Sequence, residues 1–332
     1  MTTQSANTQV KRITLGRSGL IVSRIAFGTW ELGGDWGATD EQTAIHAIRH
    51  AYDRGINFFD TARGYGFDAS EQLLAKAIRG YPRESVIIAT KGGLRSLGGS
   101  RVERDASPDW IRSGADESLR ALATDYIDLL QMHWPDPKTP FTETARALAE
   151  LVAAGKVRHV GVSNFSPEQM DEFSTTLPVE TLQPPYHLFH RDIETEILPY
   201  ARAHDIGVLV YGPLAHGLLS GQLHAGTRFS PGDWRSHSPD FESDAFARNL
   251  GVVGELERLA NDELGVAVSQ LAVAWTLANH AVHVAIIGTR SAEHVDDAVA
   301  AADLELSDDV QHRIDEIVRD AIHIAGPRPE AM

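Results

Sequence analysis

Residues 58–66 read FFDTARGYG. Two aromatic side chains run directly into Asp60, and five residues later Tyr65 stands between two glycines. An apolar run that ends on an acidic residue is typical of the end of a β-strand, and glycines allow the chain to turn sharply in the loop that follows. The stretch therefore predicts a strand that ends at Asp60 and a tight loop that carries Tyr65.

Apolar runs of the same kind recur along the chain and alternate with helical patterns. The predicted strands are Arg24–Gly28, Asn57–Asp60, Val86–Lys91, Ile127–Met132, Val157–Ser163, Thr181–Pro184, Val208–Tyr211 and Val284–Ile287. The predicted helices that follow them are Glu41–Arg54, Ser70–Arg79, Pro108–Ala123, Thr142–Ala154, Pro167–Thr175, Ile193–His204, Ser269–Asn279 and Ala292–Ala302. Strands that alternate with helices indicate parallel βα units, and eight such units predict a closed (β/α)8 TIM barrel of the α/β class.

Segments outside these units complete the predicted barrel. Residues 12–23, RITLGRSGLIVS, are typical of a β-hairpin, which we expect to plug the bottom of the barrel. Long loops follow three of the predicted strands: Trp30–Thr39, Gly92–Ser107 and Leu223–Arg248. Two extra C-terminal helices are predicted: Asn249–Leu264 and Asp308–Asp320. We therefore expect residues 1–332 to form a single barrel domain, with its active site at the C-terminal ends of the strands.

Composition excludes several classes of protein. The chain has 332 residues, a formal net charge of −16 and a pI of about 5.3, which argues against non-specific nucleic-acid binding. It contains no cysteine, so disulfides, zinc thiolate sites and thiol nucleophiles are excluded.

The polar start MTTQSANTQV has no apolar core of a secretory signal, and a cytoplasmic location is expected. Polar residues interrupt the apolar stretch 266–289, which favours a buried helix and strand over a membrane span.

Ionisable residues follow three successive predicted strands. Asp60 ends the second strand, Lys91 ends the third in IIATKGG, and His133 follows the fourth in DLLQMHWPD. Because consecutive strands of a barrel are neighbours, we expect these side chains to cluster at one mouth, which Tyr65 also reaches. A nearby ammonium lowers the pKa of a phenol, and a carboxylate holds the ammonium in place. The set suits protonation of a carbonyl oxygen while hydride reaches the carbon.

Each of these residues also has an ordinary structural interpretation. Asp60 alone is typical of a turn or a cap, and Tyr65 between glycines is typical of a loop aromatic. Lys91 before Gly-Gly suits a surface position, and His133 suits a buried histidine with both ring nitrogens hydrogen-bonded. Their occurrence on successive strand ends favours a reactive cluster over four unrelated roles.

Several longer segments follow one another in an order that a known family shares. They are FFDTARGYG, ATKGG, LLQMHWPD, AAGKVRHVGVSNF, LQPPYHLF, VLVYGPLAHGLLSG and IIGTRSAEHVDDA. With them the sequence resembles the aldo-keto reductases over essentially its whole length, and HWPDP and QPPYHLF are most like a bacterial branch of NADPH-dependent reductases that includes general-stress members. The resemblance implies reduction of aldehydes and ketones to alcohols. It also implies a catalytic tetrad of Asp60, Tyr65, Lys91 and His133, in which Tyr65 is the general acid, Lys91 and Asp60 tune it, and His133 orients the carbonyl.

The chain has neither a G-x-G-x-x-G nor a Walker A motif, so a dinucleotide would not bind in the Rossmann manner. The resemblance implies NADPH, with NADH less favoured, extended across the barrel mouth. In this arrangement Ser163, Asn164 and Gln183 hold the nicotinamide carboxamide, Tyr211 stacks on the ring, and GPLAHGLLSG runs under the pyrophosphate. The implied cofactor-binding residues are Gly28, Thr29, Trp30, Asp60, Ser163, Asn164, Gln183, Tyr211, Gly212, Pro213, Leu214, Gly217, Leu219, Gly221, Gly288, Thr289, Arg290, His294 and Asp297.

The choice between NADPH and NADH depends on the segment GTRSAEH, which opens a helix whose N-terminus favours phosphate. Arg290 there suits a 2′-phosphate, although an ordinary solvated arginine is the alternative. The chain departs from the commoner family pattern by His216 in place of Arg and Gln222 in place of Lys. It also has His294 in place of Gln or Arg, and Asp297-Ala298 in place of Glu-Asn. These changes weaken several contacts expected for NADPH.

The expected substrate is a small-molecule carbonyl compound held by Trp30, Tyr65, His133 and Trp134, since aromatic walls suit small aldehydes, ketones or aryl carbonyls. Trp234 is a further candidate for this wall or for a loop anchor. One alternative function is an NADP(H)-binding regulatory subunit of the same fold, like the β subunits of potassium channels. Another is a metal-dependent hydrolase, which His187, His190 and the 13 other histidines suggest. No H-x-H at a strand end and no H-E-x-x-H supports it, and no metal site is predicted. The expected assembly is a monomer or a small homo-oligomer without nucleic-acid or membrane partners.

Overall fold

The computed structural model describes residues 10–34, 36–37, 39–98 and 101–329. The strands in these ranges are β1 (Arg12–Thr14), β2 (Ile21–Ser23), β3 (Ile25–Gly28), β4 (Phe58–Asp60), β5 (Ile87–Gly92), β6 (Leu94–Ser96), β7 (Val102–Arg104), β8 (Ile127–Met132), β9 (Val157–Ser163), β10 (Thr181–Gln183), β11 (Gly207–Tyr211) and β12 (Val284–Gly288). The α-helices are α1 (Glu41–Asp53), α2 (Ala69–Ile78), α3 (Pro108–Ala121), α4 (Phe141–Ala153), α5 (Pro167–Ser174), α6 (Ile197–Ala203), α7 (Ser243–Leu259), α8 (Val268–Ala278), α9 (Ala292–Ala301) and α10 (Asp308–Val318).

In the described part of the chain, eight strands close into a barrel. Around the barrel they follow the order β3, β4, β5, β8, β9, β10, β11 and β12, and β12 pairs back onto β3. Neighbouring barrel strands are parallel throughout. The predicted (β/α)8 TIM barrel is confirmed, and each predicted strand end lies within one residue of the observed one.

Both faces of the barrel strands are buried, and successive residues of a strand pack into two different apolar clusters. In β3, Ile25 and Phe27 belong to the main core that the helices cover, whereas Ala26 belongs to a smaller cluster inside the barrel. Phe58 and Leu129 also belong to the inner cluster. Because both faces are covered, the strands read as nearly continuous apolar runs, and this is why they are recognisable in the sequence.

The predicted N-terminal hairpin is present as the antiparallel pair β1–β2. Leu15, in its turn, is fully buried and belongs to the cluster inside the barrel. The N–H of Arg17 donates to the carbonyl of Asp205 at 2.7 Å, just before β11. A Cβ atom on Gly207 would lie 2.7 Å from Leu15 Cγ, so only glycine allows the hairpin to approach this closely. The hairpin therefore closes the bottom of the barrel.

Two of the long loops contain more structure than the sequence predicts. The loop after β5 folds into the antiparallel hairpin β6–β7. Helix α7 begins at Ser243, inside the segment predicted as loop, because Phe246 is buried and packs 6.0 Å from the ring of Phe241. Helix formation here depends on a contact with an aromatic residue outside the helix, which a local pattern rich in glycine and serine does not reveal.

The apolar stretch after residue 265 forms the largely buried helix α8 and then the barrel strand β12. Among the described residues, no helix combines the length and the apolar character needed to cross a bilayer.

Candidate active site

A cavity of about 430 Å³ opens at the C-terminal ends of the barrel strands. Ligand pockets typically measure roughly 300–1,000 Å³, so its size suits a small molecule or part of a dinucleotide. Its wall includes the last residues of several strands, among them Gly28, Asp60, Gln183, Tyr211 and Gly288. The predicted location of the site at this face of the barrel agrees with the position of the cavity.

Strand alternation makes the upper layer of the barrel interior polar. Phe58 and Leu129 lie in the apolar cluster inside the barrel. Asp60 and Gln131 stand two residues further along the same strands and therefore lie on the same inner face. Oδ2 of Asp60 accepts hydrogen bonds from Nε2 of Gln183 at 2.8 Å and, at 3.5 Å, from Nε2 of Gln131. The carboxylate is therefore held by groups on neighbouring strands, and its orientation does not depend on a mobile loop.

Lys91 is the inward residue near the end of β5, and its side chain is fully buried. Its Nζ donates to Asp60 Oδ1 at 2.6 Å, to the carbonyl of Thr61 at 2.9 Å and to Tyr65 Oη at 3.1 Å. Burial lowers the pKa of Lys91, whereas the Asp60 carboxylate opposes that shift. These acceptors match the three N–H groups of an ammonium, which supports the charged form of Lys91.

Tyr65 reaches this cluster because its loop folds against the loop that follows β3. Gly66 has a φ of +66°, and a Cβ atom there would lie 2.3 Å from the carbonyl oxygen of Gly33. The Tyr65 N–H donates to the carbonyl of Ala62 at 3.0 Å, which closes the turn. The glycine thus allows the two loops to touch, and Tyr65 remains 9% exposed at the cavity wall.

His133 stands beside Tyr65, with ring centroids 5.6 Å apart and nearly perpendicular planes. Its backbone N–H donates to the carbonyl of Gly92 at 3.0 Å, and its own carbonyl accepts from Asn164 Nδ2 at 3.0 Å. Burial, together with the charge of Lys91, lowers the pKa of His133 well below its usual value. Its Nδ1 is buried without a hydrogen-bond partner among the described residues. His133 lines the cavity, so its neutral imidazole is suited to hydrogen-bond a ligand there.

Polar groups on the opposite wall form a chain of hydrogen bonds. Ser163 Oγ donates to the carbonyl of Gln183 at 2.7 Å, and Asn164 Nδ2 donates to Ser163 Oγ at 3.0 Å. Tyr211 Oη donates to Asn164 Oδ1 at 3.0 Å. Asn164 holds a φ of +63°, which asparagine adopts more readily than most residues. This set offers both donors and acceptors and therefore fits a planar carboxamide such as that of nicotinamide.

The far end of the cavity lies at the N-terminus of α9. Arg290 Nη2 donates to the carbonyl of Trp36 at 2.7 Å, and Thr289 Oγ1 lies 3.2 Å from His294 Nδ1. Glu31 also lines this end, and a Cβ atom on Gly288 would lie 2.8 Å from its Oε1. Burial raises the pKa of Glu31, although the charges of Arg290 and Arg235 oppose that shift. A cationic side chain and a helix N-terminus at one place fit a phosphate group.

The aromatic candidates lie around the cavity mouth. Trp30 and Trp134 both line the cavity, and the ring centroid of Trp30 lies 6.3 Å from that of Tyr65. Trp234 does not line the cavity but stacks on Trp30, with ring centroids 6.0 Å apart. Of the two alternatives for Trp234, the structure favours the loop anchor.

Most of the residues implied for cofactor binding line the cavity, but three lie outside its wall. Leu219 is fully buried in the main core, and its N–H already donates to the carbonyl of Leu214. Gly221 packs toward Val268, where an added Cβ atom would lie 3.2 Å from Cγ1. Asp297 lies on α9, beyond the cavity wall. Lys91 is also absent from the wall, because it is fully buried behind Asp60 and Tyr65, to which its Nζ donates.

Sequence reasoning missed several residues of the wall. The C-terminal tail contributes Ala325, Gly326, Pro327 and Pro329, which follow the last helix and carry no periodic pattern. The hairpin β6–β7 adds Leu94 and Val102. The other missed residues are Glu31, Trp36, Gly64, His216, Ser220, Ile286, Ile287 and Ser291. A Cβ atom on Gly326 would lie 2.5 Å from His216 Nε2, so the tail packs directly on this histidine. No local signal identifies the tail, because its position depends on contacts with distant parts of the chain.

Comparisons with known proteins agree with this geometry. Residues 24–319 match the sequence family described as the Aldo/keto reductase family. Aldo-keto reductase YhdN of Bacillus subtilis (strain 168) is 45% identical over 279 residues, which are 83% of this chain and 84% of that protein. The NADH-specific methylglyoxal reductase of Escherichia coli (strain K12) is 33% identical over 315 residues, 90% of this chain and 95% of that protein. The solved structure of the glycerol dehydrogenase AKR11B4 from Gluconobacter oxydans matches with a TM-score of 0.85 and 40% identity, covering 97% of this chain and 98% of that one.

Proposed function

The chain belongs to the aldo/keto reductase family of nicotinamide-dependent oxidoreductases, and we propose that it reduces small aldehydes and ketones with NADPH, using Tyr65 as the proton donor. One observation carries the proposal: Nζ of the buried Lys91 donates to Tyr65 Oη at 3.1 Å and to Asp60 Oδ1 at 2.6 Å. A phenol, an ammonium and a carboxylate in contact at a cavity wall form an arrangement that can deliver a proton to a carbonyl oxygen.

Tyr65 transfers its phenolic proton from Oη to the substrate oxygen as that oxygen becomes an alkoxide. A free tyrosine has a pKa of about 10 and is a poor acid at neutral pH. The Lys91 ammonium, fixed by Asp60, stabilises the phenolate that remains and so makes the transfer more favourable. Solvent then returns the proton to Tyr65 after the alcohol leaves.

His133 orients the carbonyl group beside Tyr65. Its lowered pKa keeps the ring neutral at pH 7, so it acts as a hydrogen-bonding group without adding positive charge next to Lys91. The position of His133 on the cavity wall and its perpendicular contact with the Tyr65 ring support this role. The bonds of the His133 backbone to Gly92 and Asn164 keep the imidazole at a constant distance from the phenol.

The cofactor would lie across the barrel mouth and, when bound, supply the hydride that reaches the carbonyl carbon. Ser163, Asn164 and Gln183 would hold the carboxamide, and Tyr211 would pack against the ring. Burial and the neighbouring Tyr65 raise the pKa of Tyr211, so its hydroxyl stays protonated and available to Asn164. The backbone from Gly212 to Gly217 borders the cavity between this end and the tail, which suits the pyrophosphate.

Arg290 at the start of α9 would contact the 2′-phosphate and favour NADPH over NADH. Its position on the cavity wall and the adjacent helix N-terminus support this preference. Glu31 acts in the opposite direction, because it lies at the same end of the cavity and its ionised form would repel an added phosphate. The preference for NADPH is therefore expected to be moderate.

A cofactor titration followed by a carbonyl screen tests the proposed function. The affinity of the protein for NADPH and NADH is measured by quenching of tryptophan fluorescence, and turnover is then followed at 340 nm with 4-nitrobenzaldehyde and a panel of aldehydes and ketones. We expect tighter binding of NADPH and oxidation of NADPH that depends on the carbonyl compound. Chelator treatment is the control that separates this chemistry from metal-dependent hydrolysis.

Two outcomes contradict the proposal in different ways. Tight cofactor binding without turnover on any substrate of the panel supports a regulatory cofactor-binding subunit instead. If the Michaelis constant for NADH is equal to or lower than that for NADPH, carbonyl reduction still stands but the assignment of NADPH as the cofactor is contradicted.

A further inference from the structure

A group of metal-ligating side chains lies outside the catalytic cavity, between the C-terminal tail and the turn that follows β10. It consists of His190, Asp192 and His323, whose nearest donor atoms all lie within 4.8 Å of one another. His323 Nε2 lies 3.4 Å from Asp192 Oδ2, and His190 Nε2 lies 3.8 Å from the same oxygen. The two imidazole rings are 4.4 Å apart between centroids.

These distances are long for hydrogen bonds but close to the spacing of metal ligands. A good hydrogen bond of this type measures roughly 2.7–3.2 Å, so neither imidazole is well bonded to the carboxylate. Tetrahedral zinc with bonds of roughly 2.0–2.2 Å to nitrogen and oxygen separates its ligand atoms by about 3.3–3.5 Å. An ion at the centre would therefore need only a small adjustment of the three side chains.

The backbone presents the two histidines in fixed positions. His190 belongs to a tight turn in which the backbones of His187 and His190 exchange hydrogen bonds of 2.8 and 3.3 Å. His323 stands between two anchored residues of the tail. Ile322 exchanges bonds of 2.8 and 2.9 Å with the side chain of Asn249, and Ile324 is fully buried and donates to the carbonyl of Phe189 at 3.1 Å. The donors are thus brought together before any ion binds, which lowers the entropic cost of coordination.

The chemistry of the donor set indicates which ion would bind. Imidazole nitrogen combined with one carboxylate suits zinc and its neighbours among the first-row transition metals, whereas magnesium and calcium prefer oxygen ligands only. Both imidazoles would bind the ion in their neutral form. The exposed Asp192 and half-exposed His323 leave an entry path from solvent.

We propose that His190, Asp192 and His323 bind one zinc-class divalent ion, which clamps the C-terminal tail to the body of the barrel. The clamp matters for the cavity because Ala325, Gly326 and Pro327, which directly follow the anchored segment, form part of its wall. The sequence does not predict this site, since its histidines belong to distant segments and show no metal-binding spacing. The proposal is independent of the reaction at Tyr65.

Zinc titration of the untagged, chelator-treated protein tests the site, with calorimetry or a competing chromophoric chelator as the readout. Wild type is compared with His323→Ala and Asp192→Asn, which replace exposed or half-exposed side chains. The matched control is His312→Ala, because His312 and Glu316 form a similar exposed pair 3.7 Å apart on α10. We expect one zinc equivalent in wild type and the control, bound about tenfold or more tightly than in the two site variants. Equal zinc affinity in wild type and His323→Ala overturns the proposal, as does displacement of zinc by millimolar magnesium.

Amide hydrogen exchange tests the clamp separately from affinity. Zinc is expected to slow exchange at residues 322–327 in wild type and in His312→Ala, and to leave Asp192→Asn unchanged. Circular dichroism in the presence of chelator establishes that all variants have the same fold. Zinc-dependent protection of the tail in Asp192→Asn that equals the protection in wild type contradicts the assigned ligands.

Discussion

The ammonium nitrogen of Lys91 lies 2.6 Å from Oδ1 of Asp60, and the exposed fractions of the two side chains are 0% and 4%. The contact joins the ends of two adjacent strands, β4 and β5, inside the barrel. A buried charge pair of this kind is costly to form and costlier to break, because removal of one partner leaves the other without compensation. The pair therefore links the stability of the barrel to the proton transfer proposed for Tyr65.

Replacement of Tyr65 by phenylalanine removes the proposed proton donor while keeping the ring. General acid catalysis contributes typically about 10²–10⁴-fold, so we expect kcat for aldehyde reduction to fall within or beyond this range. The affinity for NADPH should change little, because the hydroxyl contacts Lys91 and the proposed carbonyl position. Steady-state kinetics and fluorescence titration measure the two quantities.

Tyr81→Phe is the matched control for that substitution, since Tyr81 packs on Tyr52 at the outer surface, far from the cavity. It should retain wild-type turnover. Loss of cofactor binding in a correctly folded Tyr65→Phe variant would place the hydroxyl in the cofactor site and contradict the assigned role.

Replacement of Asp60 by asparagine is expected to destabilise the fold and to abolish most activity. The neutral amide no longer balances Lys91, and its NH₂ group would face the donating amides of Gln183 and Gln131. Breaking a buried ion pair costs about 3–5 kcal/mol in the free energy of unfolding, which urea denaturation measures. Asp296→Asn is the control, because Asp296 is 47% exposed and pairs with Arg54 at the surface, where a pair contributes about 0–1 kcal/mol. An equal decrease in the free energy of unfolding in the two variants would show that the buried pair contributes no more to stability than a surface pair.

His216 should make the protein sensitive to acid. Burial, together with the nearby Arg235, lowers the pKa of His216 to about 3. In the unfolded chain this histidine takes up a proton below about pH 6.5, whereas in the folded chain it stays neutral, so stability falls as the pH decreases from 6.5 toward 3. Each pH unit in this window costs about 1.4 kcal/mol for this residue.

The variant His216→Asn tests that dependence, because asparagine tolerates the φ of +55° at this position. Between pH 6.5 and pH 5.0, wild type should lose about 2 kcal/mol more unfolding free energy than the variant. His312→Asn, at an exposed position on α10, should behave like wild type. Parallel stability curves for wild type and His216→Asn would show that His216 is not responsible.

Replacement of Arg290 by glutamine should weaken NADPH binding selectively. A hydrogen bond to a charged group contributes about 1.5–3 kcal/mol, which corresponds to roughly a 10–100-fold increase in Kd for NADPH. Binding of NADH, which has no 2′-phosphate, should change less than about threefold. Arg112→Gln, on the exposed face of α3, is the control for a change in net charge. If the substitution weakens the binding of NADPH and NADH equally, Arg290 contacts the pyrophosphate or stabilises the loop that contains Trp36, and does not contact the 2′-phosphate.

The barrel and its reactive residues are predictable from sequence for a local reason. Strands buried on both faces are apolar runs, and Asp60, Lys91 and His133 interrupt that character where three of the runs end. The consecutive order of these strands places the residues side by side once a barrel is assumed. The sequence does not predict the first turns of helix α7. The contact of Phe246 with Phe241 stabilises them, although the composition of this segment is typical of a loop.

The sequence by itself determined the parallel barrel and the group of Asp60, Tyr65, Lys91 and His133. Apolar runs that end on polar residues are visible locally, and the consecutive order of the runs makes their ends neighbours in a barrel. Only the tertiary structure decided the rest of the cavity wall. Glu31 lies over Gly288, and Gly326 packs on His216. The tail also carries His323 to within reach of Asp192. These contacts join segments that are distant in the chain and without periodic pattern, and their partners are chosen by packing and charge in three dimensions.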